Sequence, residues 1–170
     1  MAPRKSKKTG GLKEGDKLPR FSLPADDGSV VTSDSLQGRN TVLYFYPKDD
    51  TSGCTKEACD FRDAFPRFSQ TDARIIGVSP DSLASHLKFK AKYDLPFQLL
   101  ADEKHSLADS FGVWKEKSMY GRKFMGVERT TVIIDADGRI ARIFPKVSVA
   151  GHVAEVEDTL RELSRSRATR

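Results

Sequence analysis

The sequence predicts an α/β fold: a sandwich of helices on a mixed central sheet. Three observations carry this. Two apolar runs, 41–46 (TVLYFY) and 74–78 (RIIGV), read as strands buried on both faces. A helical period lies between them, so the two strands form a parallel pair with a right-handed crossover. Near the end, apolar runs at 130–134 and 139–144 flank Asp135-Ala136-Asp137-Gly138, a hairpin turn that adds antiparallel strands.

The elements follow in order. Residues 21–23 and 29–32 flank the turn-rich Ala25-Asp26-Asp27-Gly28 and read as a short hairpin. The strand 41–46 is closed by Pro47, and a polar loop runs on to Gly53. Ala58, Phe61, Phe65 and Phe68 then recur at steps of 3, 4 and 3, which puts them on one helical face. Pro66 falls inside that pattern and is expected to kink or stop the helix near Ala64. After the strand 74–78 comes a helix over 82–92, capped by Asp81 or Ser82. A short strand is expected over 97–100 and a helix over 104–111, ending near Gly112. Trp114, Tyr120, Phe124 and Met125 sit in a Gly-containing stretch and are expected to cover the core. Val153, Val156, Leu160 and Leu163 repeat the 3-4-3 spacing, so the chain closes with an amphipathic helix.

Composition narrows the function classes. The chain has 170 residues, 38% hydrophobic and 31% charged, as for one soluble folded domain. No run approaches the ~18 apolar residues of a membrane-spanning helix. Two Cys exclude a disulfide-stapled scaffold and multi-Cys zinc or iron–sulfur sites. The net charge of +5 is a property of the ends. Of 29 basic residues, five lie in 1–13 with no acid and four in 161–170 with one acid. The stretch between carries 20 basic against 23 acidic residues and is mildly acidic. The expected organisation is a disordered basic tail at 1–13, a folded domain at 14–163 and a basic C-terminal tail at 164–170. The first thirteen residues lack the apolar segment of a secretory signal. A cytoplasmic protein is therefore expected, with its thiols reduced at rest. The tails offer at most a weak nucleic-acid contact or a nuclear address.

The chemistry concentrates at residues 47–59, PKDDTSGCTKEAC. Cys54 lies where a buried strand ends, a loop turns and a helix begins. Ligands gather at the carboxyl ends of strands in α/β sheets. A helix N-terminus adds unpaired N–H groups and about half a positive charge. Both favour a thiolate, the nucleophilic form of sulfur. The competing reading is a small apolar packing residue. Cys59 follows five residues on. Over five residues of an intact helix the Cα atoms stand roughly 8.7 Å apart, whereas a disulfide needs about 4.4–6.8 Å. The sulfurs are thus separate at rest and able to meet only if the first turn unwinds. The spacing is not C-x-x-C, which disfavours thioredoxin-type dithiol exchange. Cys59 also reads as a core-facing helix residue. His86, His105 and His152 show no ligand spacing and read as solvated or satisfied. Arg129, just before the apolar run 130–134, reads as an edge charge or as a cation that holds an anionic transition state.

These residues resemble a known family. Pro47, Thr51 and Cys54 form P-x-x-x-T-x-x-C directly after a buried strand, similar to the active-site pattern of peroxiredoxins. CTKEACDFRD resembles the peroxiredoxin Q group, also called bacterioferritin comigratory proteins. YDLPFQLLAD, FGVW and KSMYGRKFMGVERTTVIID read like that group too, so the likeness spans roughly residues 12–163. It implies a thioredoxin-like sandwich with a mixed central sheet and an N-terminal β-hairpin extension. It also implies a thiol-dependent peroxidase needing no metal, haem or flavin.

By that resemblance Cys54 is the peroxidatic cysteine and Cys59 the resolving cysteine on the same helix. Thr51 is the hydroxyl that bonds thiolate and peroxide, Pro47 the ring that shields the sulfur, and Arg129 the pocket cation. Glu57 is given no role beyond orienting neighbours; Lys48, Asp49 and Asp50 are given none. The implied cycle runs from hydroperoxide through a Cys54 sulfenic acid to a Cys54–Cys59 disulfide, restored by thioredoxin or a similar dithiol. An internal resolving Cys makes a monomer the expected state. The alternatives are a thioredoxin-like disulfide reductase and a nucleic-acid-associated protein using its basic tails.

Overall fold

The computed structural model describes residues 11–168. Residues 1–10 of the tail expected at 1–13, and 169–170 of the one expected at 164–170, therefore lie outside the described residues. Two short strands, β1 (Ser22–Pro24) and β2 (Val30–Thr32), pair as the expected N-terminal hairpin. β3 (Asn40–Phe45) is buried at every position, as a central strand covered on both faces must be. Helix α1 (Ser52–Gln70) carries the chain back to β4 (Ala73–Ser79), parallel to β3. Helix α2 (Leu83–Tyr93) leads to β5 (Gln98–Ala101), parallel to β4. Ser82 is its N-cap, accepting from Ser85 N at 3.2 Å. A short α3 (Ser106–Ser110) precedes the antiparallel strands β6 (Trp114–Met119) and β7 (Arg122–Val127). Then come β8 (Thr130–Ile134), β9 (Ile140–Phe144) and α4 (His152–Ala168).

The central sheet has the order β5-β4-β3-β8-β9, with β8 antiparallel to both β3 and β9. It is the mixed sheet of an α/β sandwich. Alternation along β3 divides the core in two. Val42, Tyr44 and Tyr46 pack with Phe61 and Phe68 of α1, Phe89 of α2 and Leu160 of α4. Leu43 and Phe45 face the other way, toward Leu23, Val31, Leu107 and Phe111.

Three expectations change. Helix α1 runs through Pro66 to Gln70 without stopping near Ala64. Pro66 forfeits one hydrogen bond, a break of about 3 kcal/mol. Ala64 and Phe68 on either side of it are buried to 1% and 0% exposure, and their packing holds the helix together. Residues 114–127 form the β6–β7 hairpin rather than a cover for the core. Tyr120 at its tip is 96% exposed, and Phe124 and Met125 are exposed too; of these four side chains only Trp114 packs against the core, partly buried. Finally, the chain from 164 continues as helix to Ala168, where a tail had been expected to begin. At the other end, Leu12 already packs on the second half of the core, inside the segment expected as tail.

Candidate active site

The site is assembled by sheet register. β3 ends at Phe45, and residues 46–51 turn the chain into α1, whose N-cap is Thr51. Cys54 thus sits in the first turn of α1, above the carboxyl end of β3. Because β8 is antiparallel to β3, Phe45 pairs with Thr130, the first residue of β8. Arg129 is therefore delivered to the same end of the sheet as Cys54, 75 residues away in sequence.

The two meet. Arg129 Nη2 donates to Cys54 Sγ at 3.5 Å, and Cys54 is 1% exposed. Arg129 Nη1 donates to Glu57 Oε1 at 2.7 Å. Glu57 lies one turn along α1 and is wholly buried. Burial pushes its carboxyl up to about 7, against the pull of the Arg129 charge and hydrogen bond. Arg129 itself is lowered by burial, but the charges of Glu57 and Cys54 and their hydrogen bonds raise it on balance. Burial, and after it the nearness of Arg129, holds the Lys117 ammonium of β6 below its ordinary value. Tyr44 rises well above a normal phenol through burial first and then the charges of Glu57 and Cys54. Its hydroxyl, like Glu57 Oε2, has no hydrogen-bond partner among the described residues.

The other predicted residues fall around this core. Thr51 is exposed, and its hydroxyl donates to Lys48 O at 2.9 Å, not to Cys54. Pro47 is half-buried just past the end of β3. Cys59 is half-buried on the same unbroken helix, and both cysteines are free thiols. Five helical residues keep their Cα atoms roughly 8.7 Å apart. The three histidines do not reach the sulfur: His86 and His152 are buried in hydrogen bonds, and His105 stacks on Trp114 with ring centroids 4.0 Å apart. Gly53 has a contact that its sequence position does not declare. A Cβ there would lie 3.1 Å from Arg129 Nη2, so the bare backbone makes room for the guanidinium. Glu57 was expected only to orient neighbours, and the neighbour proves to be Arg129. No spacing rule links a glutamate in a helix to an arginine before a distant strand.

Chemically, the arrangement is a buried sulfur at a helix N-terminus with one guanidinium beside it. That cation is placed to hold negative charge on the sulfur and on an oxygen bonded to it. Residues 14–143 match the model of the AhpC/TSA family. The chain belongs to that family. Peroxiredoxin Bcp of Bacillus subtilis is 51% identical over 150 residues, covering 88% of this chain and 96% of its own. Peroxiredoxin Bcp of Escherichia coli is 40% identical over 151 residues, covering 89% and 97%. Peroxiredoxin Q of Xanthomonas campestris superposes with a TM-score of 0.81 at 40% identity, over 85% of this chain and 91% of that one. The thioredoxin-like fold and the peroxiredoxin resemblance therefore hold across nearly the whole length. No helix among the described residues is long and apolar enough to cross a membrane.

Proposed function

We propose that Cys54 is the peroxidatic nucleophile of this thiol-dependent peroxidase and Cys59 its resolving partner. The observation that carries the reading is the Arg129 guanidinium 3.5 Å from a buried sulfur in the first turn of α1. Cys54 thiolate attacks the terminal oxygen of a hydroperoxide; the O–O bond breaks, and water or an alcohol leaves after taking a proton. Arg129 and the N–H groups near Gly53 and Cys54 hold the charge that develops. Thr51 stands at the mouth, where its hydroxyl exchanges Lys48 O for the peroxide, and Pro47 closes one side against water. Cys54 is left as a sulfenic acid.

Cys59 then attacks that sulfur and releases water. The unbroken helix keeps the two apart, so the first turn must unwind. Thr51, Ser52, Gly53 and Thr55 are weak helix formers, which makes that turn the easiest part of α1 to melt. A dithiol of the thioredoxin type restores the pair by exchange. The Xanthomonas campestris bacterioferritin comigratory protein has been studied for alkyl peroxide reduction, and organic hydroperoxides are proposed as substrates here too. The protein is proposed to act as a monomer in the cytoplasm. The test is hydroperoxide consumption coupled to a thioredoxin–reductase system. Cys54→Ser should abolish turnover, and Cys59→Ser should react once and stall. Wild-type turnover by Cys54→Ser would sink the assignment.

A further inference from the structure

A second buried polar cluster lies behind the loop that leads to Cys54. Asp49 is its centre and is 7% exposed. Asp49 Oδ1 accepts from Tyr46 OH at 2.6 Å, and Oδ2 accepts from Ser85 Oγ at 2.7 Å. His86 Nδ1 lies 2.7 Å from the same Oδ2, and His86 Nε2 lies 2.9 Å from Leu100 O. The backbone N–H of Asp49 donates to Asp81 Oδ2 at 2.8 Å, which also accepts from Ser79 Oγ at 2.6 Å. Ligand-type atoms of Asp49, Asp81 and His86 come within 4.8 Å of one another, but these hydrogen bonds occupy them.

Counting donors and acceptors points to a charged ring. A neutral imidazole has one N–H, yet both His86 nitrogens face oxygen acceptors. One acceptor is a carbonyl and cannot supply a proton. The other is a carboxyl oxygen that already accepts the Ser85 hydroxyl, while Tyr46 donates to its twin, so Asp49 meets the ring as an acceptor. Two acceptors facing the two nitrogens favour a ring that donates twice, as an imidazolium in an ion pair sealed from water. Burial opposes charge on His86, but the Asp49 hydrogen bond and charge outweigh it, and Asp81 adds to them.

The cluster has a mechanical consequence. Asp49 is fastened to Ser85 and His86 of α2. The next residue, Asp50, accepts from Lys92 Nζ at 2.9 Å and Tyr93 OH at 3.0 Å, at the far end of α2. Asp50 adopts a left-handed φ of 59°, a strained setting that these bonds maintain. Beyond Cys59, Arg62 Nη1 donates to Tyr93 O at 2.8 Å. The chain is thus pinned to α2 on both sides of the two cysteines, and the first turn of α1 lies between the two pins.

We propose that Asp49 and His86 are positioning residues for the peroxidatic loop: the His86 imidazolium locks the Asp49 carboxylate, and Asp49 holds residues 47–51 in register with Arg129 while the turn beyond them opens and closes. This rests on the role of Cys54 proposed above. Neutralising His86 leaves a ring nitrogen facing an oxygen without a proton between them, which loosens Asp49 and with it Thr51.

The imidazole nitrogens of wild type, read by NMR without substrate, should show His86 doubly protonated at pH 7. In rapid-mixing assays, His86→Gln and Asp49→Asn should oxidise Cys54 roughly 10- to 100-fold more slowly. The wild-type rate should fall off as alkali removes the His86 proton, and His86→Gln should lack that limb. A neutral His86 at pH 7 overturns the proposal, with no variant needing to fold. So does a folded His86→Gln enzyme with wild-type rate and pH profile. Wild type that consumed no hydroperoxide would overturn the functional reading beneath it, an outcome the substrate-free spectrum keeps distinct.

Discussion

Gly53 and Arg129 are so close that the smallest side chain at Gly53 would crowd the guanidinium: a Cβ would stand 3.1 Å from Nη2. Arg129 cannot simply swing aside, because Nη1 is held by Glu57 at 2.7 Å. Gly53 also keeps the first turn of α1 soft, since glycine costs about 1 kcal/mol relative to alanine in a helix. Gly53→Ala should therefore act on both chemical steps. Displacing Arg129 slows sulfenic acid formation, and stiffening the turn slows its resolution by Cys59. Thermal stability should not fall. Two-phase fluorescence or quench kinetics would separate the steps; unchanged rates in both would refute the contact as a functional one.

Arg129 itself should matter far more. Removing one preorganised donor from a developing oxyanion costs about 10²–10³ in rate. Arg129→Met should lower kcat/KM for hydroperoxide by that order, and Arg129→Lys should recover only part, because a single ammonium cannot bond Glu57 and the sulfur from two nitrogens. If Lys restores full rate, the forked geometry is irrelevant.

Glu57 makes stability depend on pH. Its native carboxyl titrates at about 7 against an ordinary 4.5, so the folded protein holds a proton that the unfolded chain has lost between those values. Stability from this group is fully present below pH 4.5 and is lost as pH rises through about 7. The change amounts to about 3 kcal/mol by linkage. Urea unfolding at pH 5 and pH 8 should show it in wild type, and Glu57→Gln should not share it. His86 works in the same direction but over a higher window: its native value is raised above 6.5, so its contribution fades only above that pH. Equal pH dependence in wild type and Glu57→Gln would count against the buried pair as described.

Much of this was legible in the sequence, for physical reasons. Apolar runs such as 41–46 announce buried strands, and the 3-4-3 spacing of Phe61 and Phe68 announces a core-facing helix. Cys54 was legible because a strand, a polar loop and a helix converge on it. What local sequence alone left open depends on chain pairing. Arg129 owes its position to the Phe45–Thr130 register, which nothing in its neighbourhood states. Asp49 and His86 are 37 residues apart and joined only through the packing of α2 on the sheet. The exposed strands of 114–127 escaped because their aromatic and methionine residues look like core in one dimension.

Pro66 shows local propensity overruled by packing, and the cost should be measurable. Its ring is exposed, so replacing it with alanine removes no buried contact. Pro66→Ala restores an N–H for the Arg62 carbonyl and relieves the clash, effects worth up to about 3 kcal/mol, less what the stiffer unfolded chain contributed. For a domain of this size each 1 kcal/mol raises Tm by about 2–4 °C. Pro66 lies twelve residues along α1 from Cys54, roughly 18 Å down the helix axis. The peroxide reaction should therefore be unchanged. A thermal melt and a single-turnover assay check the two halves, and a lower Tm would mean that α1 needs its proline for a bend that alanine cannot supply.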